Sequence, residues 1–60
     1  MNHDTYEAIT ACLEHIATNL ESLIEKLVAA NEREFARTAR ALLDGVRDMQ
    51  DEVNETSVTD

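Results

Sequence analysis

Residues 6–27 read YEAITACLEHIATNLESLIEKL, and this stretch decides the fold. Its large apolar residues are spaced alternately three and four positions apart, which is the a/d pattern of a heptad repeat: Tyr6, Ile9, Leu13, Ile16, Leu20, Leu23 and Leu27. Because an α-helix has about 3.6 residues per turn, these side chains lie along one narrow stripe. Exposing such a stripe to water is unfavourable, so the sequence predicts a helix that packs against another helix.

A second apolar series follows at the same spacing: Phe35, Ala39, Leu42, Val46, Met49 and Val53. Each series is preceded by a capping signal, Asp4 with Glu7 for the first and Asn31 with Glu34 for the second. The pattern therefore predicts helix 1 over about residues 5–30 and helix 2 over about 32–52. Four apolar residues beside the two series widen the apolar arcs: Ala17, Ile24, Ala36 and Leu43.

The register of the two series distinguishes a hairpin from a single rod. Continuing the first series past Leu27 would place six residues on the stripe, five of them charged: Glu34, Arg37, Ala41, Asp44, Asp48 and Asp51. The phase therefore changes near Asn31. A hairpin resets the phase at little cost, whereas a continuous rod needs a local stutter in the repeat. An antiparallel hairpin is the favoured prediction, although the turn has neither Gly nor Pro, and the rod remains the alternative.

The length of the chain adds an expectation of self-association. Sixty residues bury a modest fraction of their surface, and with a single cysteine no intramolecular disulfide can stabilise the fold. The predicted fold class is all-α, with a hairpin over residues 1–53, a disordered tail over 54–60, and two hairpins pairing into a four-helix bundle dimer. The predicted core and dimer interface comprises Tyr6, Ile9, Leu13, Ile16, Leu20, Leu23, Ile24, Leu27, Phe35, Ala39, Leu42, Leu43, Val46 and Met49.

Charge and composition restrict the classes of partner. The net charge is −8, from 13 acidic and 5 basic residues, and it disfavours binding to nucleic acid or to an anionic membrane. No run approaches the roughly 20 apolar residues that a membrane span requires. The lone Cys12 and the lack of an apolar leader predict a cytoplasmic protein.

Few residues have the type and spacing that indicate catalysis or metal binding. Cys12 and His15 stand three positions apart on helix 1 and could in principle share a metal ion, but no further cysteine is present and only His3 remains as a second histidine. All a and d positions are apolar, which excludes a carboxylate-bridged metal centre in a bundle core. No phosphate-binding loop or Ser-His-Asp set is found. The sequence therefore predicts no enzyme, no metal and no cofactor.

Charged residues at outward positions are candidates for contact with a partner. Helix 1 carries Glu7, Glu14 and Glu21 at intervals of seven, and helix 2 carries Arg33, Arg37, Arg40 and Arg47. The acidic strip could pair with the arginines of a second chain and set its orientation, as flanking charges do in coiled coils. The simpler interpretation is that both sets are solvated and make local ion pairs.

The stretch Leu23-Ile24-Glu25-Lys26-Leu27, followed by a short acidic turn, resembles the end of the first helix in the Rop family of plasmid copy-number regulators. This resemblance implies a dimer of helical hairpins that binds paired RNA loops through helix 1. Here the corresponding face carries Ala11, His15 and Asn19, with Lys26 as its only base, which does not favour the RNA function. The chain is also similar in size and periodicity to the hairpin co-chaperones of type III secretion.

The expected function is that of a small non-enzymatic protein–protein interaction module, a regulator or adaptor acting as a homodimeric helical bundle. Three alternatives remain. One is an acidic inhibitor or nucleic-acid mimic that blocks a basic nucleic-acid-binding enzyme. The others are an RNA-binding regulator of the Rop kind and a secretion co-chaperone, which would pair with a different chain.

Overall fold

The computed structural model describes residues 1–58 and contains two helices packed against each other as a hairpin. Helix α1 spans His3–Ala29 and helix α2 spans Arg33–Glu55. The predictions of an all-helical chain and of a hairpin rather than a rod are confirmed. Its Cα atoms extend over 47 × 14 × 9 Å, so the molecule is a single layer two helices wide.

The two helix starts differ from the prediction. Asn2, rather than Asp4, caps α1, and its side-chain oxygen accepts a hydrogen bond from the Thr5 N–H at 2.8 Å. Glu32, rather than Asn31, precedes α2, and it makes no side-chain capping bond. The capping motifs were therefore recognised near the right places but assigned to the wrong residues.

Asn31 has a different role, which explains how a turn without glycine is possible. Its φ of 61° lies in the left-handed region, where asparagine is one of the few residues other than glycine that is tolerated. The Glu32 N–H donates to the Leu27 carbonyl at 2.8 Å, and the Asn31 N–H donates to the Val28 carbonyl at 3.0 Å. This pair of bonds is the Schellman motif, which ends a helix and reverses the chain within a few residues.

Helix α2 extends further than predicted. It includes Asn54 and Glu55, which the sequence had assigned to a polar tail. The Tyr6 hydroxyl donates to the Asn54 side-chain oxygen at 3.2 Å, so the last turn of α2 is tied to the first turns of α1. Thr59 and Asp60, the end of the predicted tail, lie outside the described residues.

The seam between the helices is rotated relative to the predicted a/d stripe. Buried residues are Leu13 and Ala17 in α1 and Ala36, Ala39 and Leu43 in α2. Half-buried residues continue the two stripes to the ends of the helices: Tyr6, Ile9, Thr10, Leu20, Ile24, Leu27, Val46, Gln50 and Val53. The a positions of α1 lie on the seam as predicted. The other residues of α1 on the seam are mainly 10, 17 and 24, which are e positions, rather than the d positions that the heptad pattern predicted.

Five residues predicted for the core therefore lie outside the hairpin seam: Ile16, Leu23, Phe35, Leu42 and Met49, all of which are exposed. None of them fills the space between α1 and α2, and their predicted part in a dimer interface stays a prediction. The apolar arc of each helix is wider than one neighbouring helix can cover. Packing through the small side chains of Ala17, Ala36 and Ala39 uses one edge of each arc and leaves the other edge uncovered.

Candidate functional site

The uncovered residues are large and strongly exposed. Phe35 is 64% exposed, Leu42 57% and Met49 52% in α2, and Ile16 and Leu23 are 40% and 44% exposed in α1. Isolated apolar residues are normal on a protein surface, but a contiguous set of this size marks an interaction site. Whether the five residues form one surface depends on which side of the layer each helix presents them.

The ion pair between Glu21 and Arg47 shows which residues of α1 and α2 lie on the same side of the layer. It joins the helices with an N–O distance of 3.1 Å. Glu21 directly follows the seam residue Leu20, and Arg47 directly follows the seam residue Val46. In antiparallel helices, residues that directly follow the seam therefore project to one common side, and residues that directly precede it project to the opposite side.

All five exposed residues directly precede seam residues. Ile16 precedes Ala17 and Leu23 precedes Ile24 in α1, whereas Phe35, Leu42 and Met49 precede Ala36, Leu43 and Gln50 in α2. They consequently lie on the same side of the layer, together with the half-buried Ile9. We call this surface the apolar face, defined by Ile9, Ile16, Leu23, Phe35, Leu42 and Met49.

The other side of the layer is the charged face, which we define by Glu7, Glu14, Glu21, Arg33, Arg40 and Arg47. Each of these residues is one position past a seam residue or at the equivalent place in the heptad, and all are exposed. Within this face Glu21 pairs with Arg47 of the same chain. The carboxylate of Glu7 also lies 3.0 Å from the His3 ring. These candidate partner-facing charges thus make at least two of their contacts inside one hairpin.

The remaining candidate residues belong to neither of the two faces as defined above. Cys12 is a free, exposed thiol, and His15 and Arg37 are exposed as well. Among residues 1–58, no group of three or more His, Cys, Asp or Glu side chains is arranged to hold a metal ion. Neither helix in that part of the chain is long and apolar enough to cross a membrane.

The solvent-accessible surface shows how much of the molecule is uncovered. The chain exposes 4692 Å². A compact monomer of its mass, 6.7 kDa, is expected to expose only about 3,900 Å². The excess of roughly 800 Å² reflects the elongated, single-layer shape of the hairpin.

The fold and this surface define a small helical hairpin with one apolar and one charged side. Comparison of the chain with protein-family models, with curated proteins and with solved structures found no match.

Proposed function

We propose that this chain is a non-enzymatic protein–protein interaction module that acts as a homodimeric four-helix bundle. The observation that carries the proposal is the apolar face, whose residues recur along both helices and of which all but Ile9 are exposed in the single hairpin. Two such faces, packed against each other, complete a bundle whose core is apolar on every side. In the cell, such a module acts as a regulator or adaptor.

A second copy of the chain suits the apolar face better than a lipid surface does. The net charge of −8 opposes approach to an anionic membrane. A flat two-helix layer can also be self-complementary, because a two-fold rotation places the apolar face of one copy against the same face of the other.

The proposal includes a cytoplasmic location. It rests on Cys12, the only cysteine of the chain, whose thiol is exposed and unpaired. Unpaired surface thiols are typical of reducing compartments.

The test is the mass of the protein in solution, measured by sedimentation equilibrium for the natural chain and for two variants. Leu42→Asp places a charge on the apolar face and is expected to convert the dimer to a monomer. Val28→Asp is the matched control, because Val28 is 53% exposed, close to the 57% of Leu42, but directly follows the seam residue Leu27 and so lies on the charged side. This control is expected to remain dimeric.

Two results would contradict the proposal. One is a natural chain that stays monomeric and fully helical at micromolar concentrations. The other is equal dissociation of the two variants, because it would mean that the apolar face has no special part in association.

A further inference from the structure

If two hairpins form the proposed homodimer, the structure also indicates how they are oriented relative to each other. Two apolar faces can be stacked in two ways by a two-fold axis. In the same-end arrangement both turns lie at one end of the bundle, and α1 of each copy packs on α2 of the other. In the opposite-end arrangement the turns lie at opposite ends, and each helix packs on its own copy.

Charge is distributed very unevenly between the two halves of the hairpin. The half that holds the chain ends, residues 1–17 with 47–58, contains seven acidic residues and one arginine, a net charge of −6. The half that holds the turn, residues 18–46, contains five acidic and four basic residues, a net charge of −1. The acidic half includes Asp48, Asp51, Glu52 and Glu55 on the last turns of α2.

This asymmetry discriminates between the two arrangements. Same-end stacking places both −6 halves against each other, whereas opposite-end stacking places each −6 half against a −1 half. Packed helices lie roughly 8–10 Å apart, which is about one Debye length at physiological salt, so the repulsion is only partly screened. The acidic end of α2 would lie beside the first turns of the second α2, where Arg33 and Arg37, although outside the contact surface, make the local net charge less negative.

Gly45 marks a point on α2 at which a second copy can approach closely. It lies near the middle of α2, on the side of the helix that carries Leu42 and Met49. A Cβ added at Gly45 meets no atom within 4 Å, so nothing inside the hairpin requires a glycine there. A two-fold axis perpendicular to the helices crosses α2 near its middle and brings Gly45 opposite Gly45 of the second copy, where the missing side chain allows the backbones to approach.

We infer that the two hairpins associate in the opposite-end arrangement, with α2 packed antiparallel on α2 of the second copy and the crossing at Gly45. The charge distribution sets the orientation, and the glycine sets the point of closest approach. The surface thus recognises a second copy of this chain in one orientation only.

Disulfide cross-linking of single-cysteine variants tests this inference in the full chain with Cys12→Ser as background and oxidised glutathione as oxidant. Gly45→Cys is expected to yield mostly cross-linked dimer, because a disulfide requires Cα atoms about 4.4–6.8 Å apart. Thr38→Cys is the matched control. It lies on the same side of α2, seven residues earlier, and two turns of displacement in each copy separate it from its own mate by roughly 20 Å.

A mixture of the Thr38→Cys and Glu52→Cys variants gives a second measurement that leaves Gly45 intact. Positions 38 and 52 are symmetric about 45, so the opposite-end arrangement predicts efficient cross-linking in the mixture and little in either variant alone. A mixture of Asn19→Cys and Gly45→Cys probes the rival arrangement, in which α1 of one copy packs on α2 of the other.

The outcomes separate this inference from the proposed function. A dimer by mass that cross-links through Asn19→Cys with Gly45→Cys, and not through Gly45→Cys alone, would overturn the orientation and leave the homodimer standing. Cross-linking as efficient at position 38 as at 45 would also overturn it, because it would reflect random collision. A monomeric mass would remove both.

Discussion

The apolar face and the charged face belong to the same two helices, yet their side chains are satisfied in different ways. The charged face makes contacts within one hairpin, as the pair between Glu21 and Arg47 shows. The apolar face leaves Phe35, Leu42 and Met49 more than half exposed. Polar groups can form hydrogen bonds with water, whereas apolar groups are stabilised only when other apolar atoms remove them from water. The comparison therefore identifies the side of the layer on which the proposed second copy packs.

The adjacent residues Leu42 and Leu43 give the sharpest test of this comparison and the largest expected effect. Leu43 is 8% exposed on the hairpin seam, whereas Leu42 lies on the apolar face. Leu43→Asp buries an uncompensated charge and is expected to lower the free energy of unfolding by several kcal/mol, enough to unfold a small domain. Leu42→Asp is expected to cost less and to act through the loss of association.

The measurement is urea unfolding followed by far-UV circular dichroism, for both variants over a range of protein concentrations. Stability of the natural chain should rise with protein concentration, and that dependence should disappear in Leu42→Asp. The assigned seam would be wrong if Leu42→Asp lost more helicity than Leu43→Asp at every concentration.

Substitutions of Asn31 in the turn are expected to change the stability of the hairpin by an intermediate amount. Asn31→Val places a β-branched residue at a φ of 61° and is expected to destabilise the hairpin by about 1–2 kcal/mol. Asn31→Gly is the control, because glycine adopts this conformation without strain and should keep or raise the stability. Thermal unfolding of the three chains at one concentration measures the difference. Equal destabilisation by Gly and Val would show that the asparagine side chain matters rather than its backbone conformation.

Removal of the ion pair between Glu21 and Arg47 is expected to have the smallest effect on stability. Both side chains are more than half exposed, so the coupling energy in a double-mutant cycle is expected to be about 0.2–1 kcal/mol and to shrink with added salt. Glu21→Ala, Arg47→Ala and the double variant supply the cycle, with unfolding measured in urea. A salt-insensitive coupling of several kcal/mol would indicate a desolvated pair and so would contradict the picture of a solvated charged face.

Much of the fold could be predicted from the order of residues. The heptad spacing of Tyr6 to Leu27 and of Phe35 to Val53 predicted two helices, because a helical period determines which residues share a face. The change of phase near Asn31 predicted that the chain doubles back. Both predictions depend on local geometry, which follows from the sequence without knowledge of distant contacts.

The candidate surface was only partly predictable. The sequence identified the apolar residues and predicted a second interface, but it did not separate residues such as Ile16 and Leu42, which are exposed in the hairpin, from those that pack between the helices. Periodicity indicates that an arc is apolar but not which part of a wide arc meets the nearest neighbour. Ile24 and Leu43 were placed as flanking residues for the same reason, and both are on the seam.

The sequence by itself determined that this chain forms two amphipathic helices joined near Asn31, because spacing and propensity act over a few residues. Only the tertiary structure decided which edges of the helices meet. The left-handed conformation of Asn31 and the small side chains of Ala17, Ala36 and Ala39 select one way for α2 to pack on α1. That choice covers one edge of each helix and leaves the other to form the apolar face.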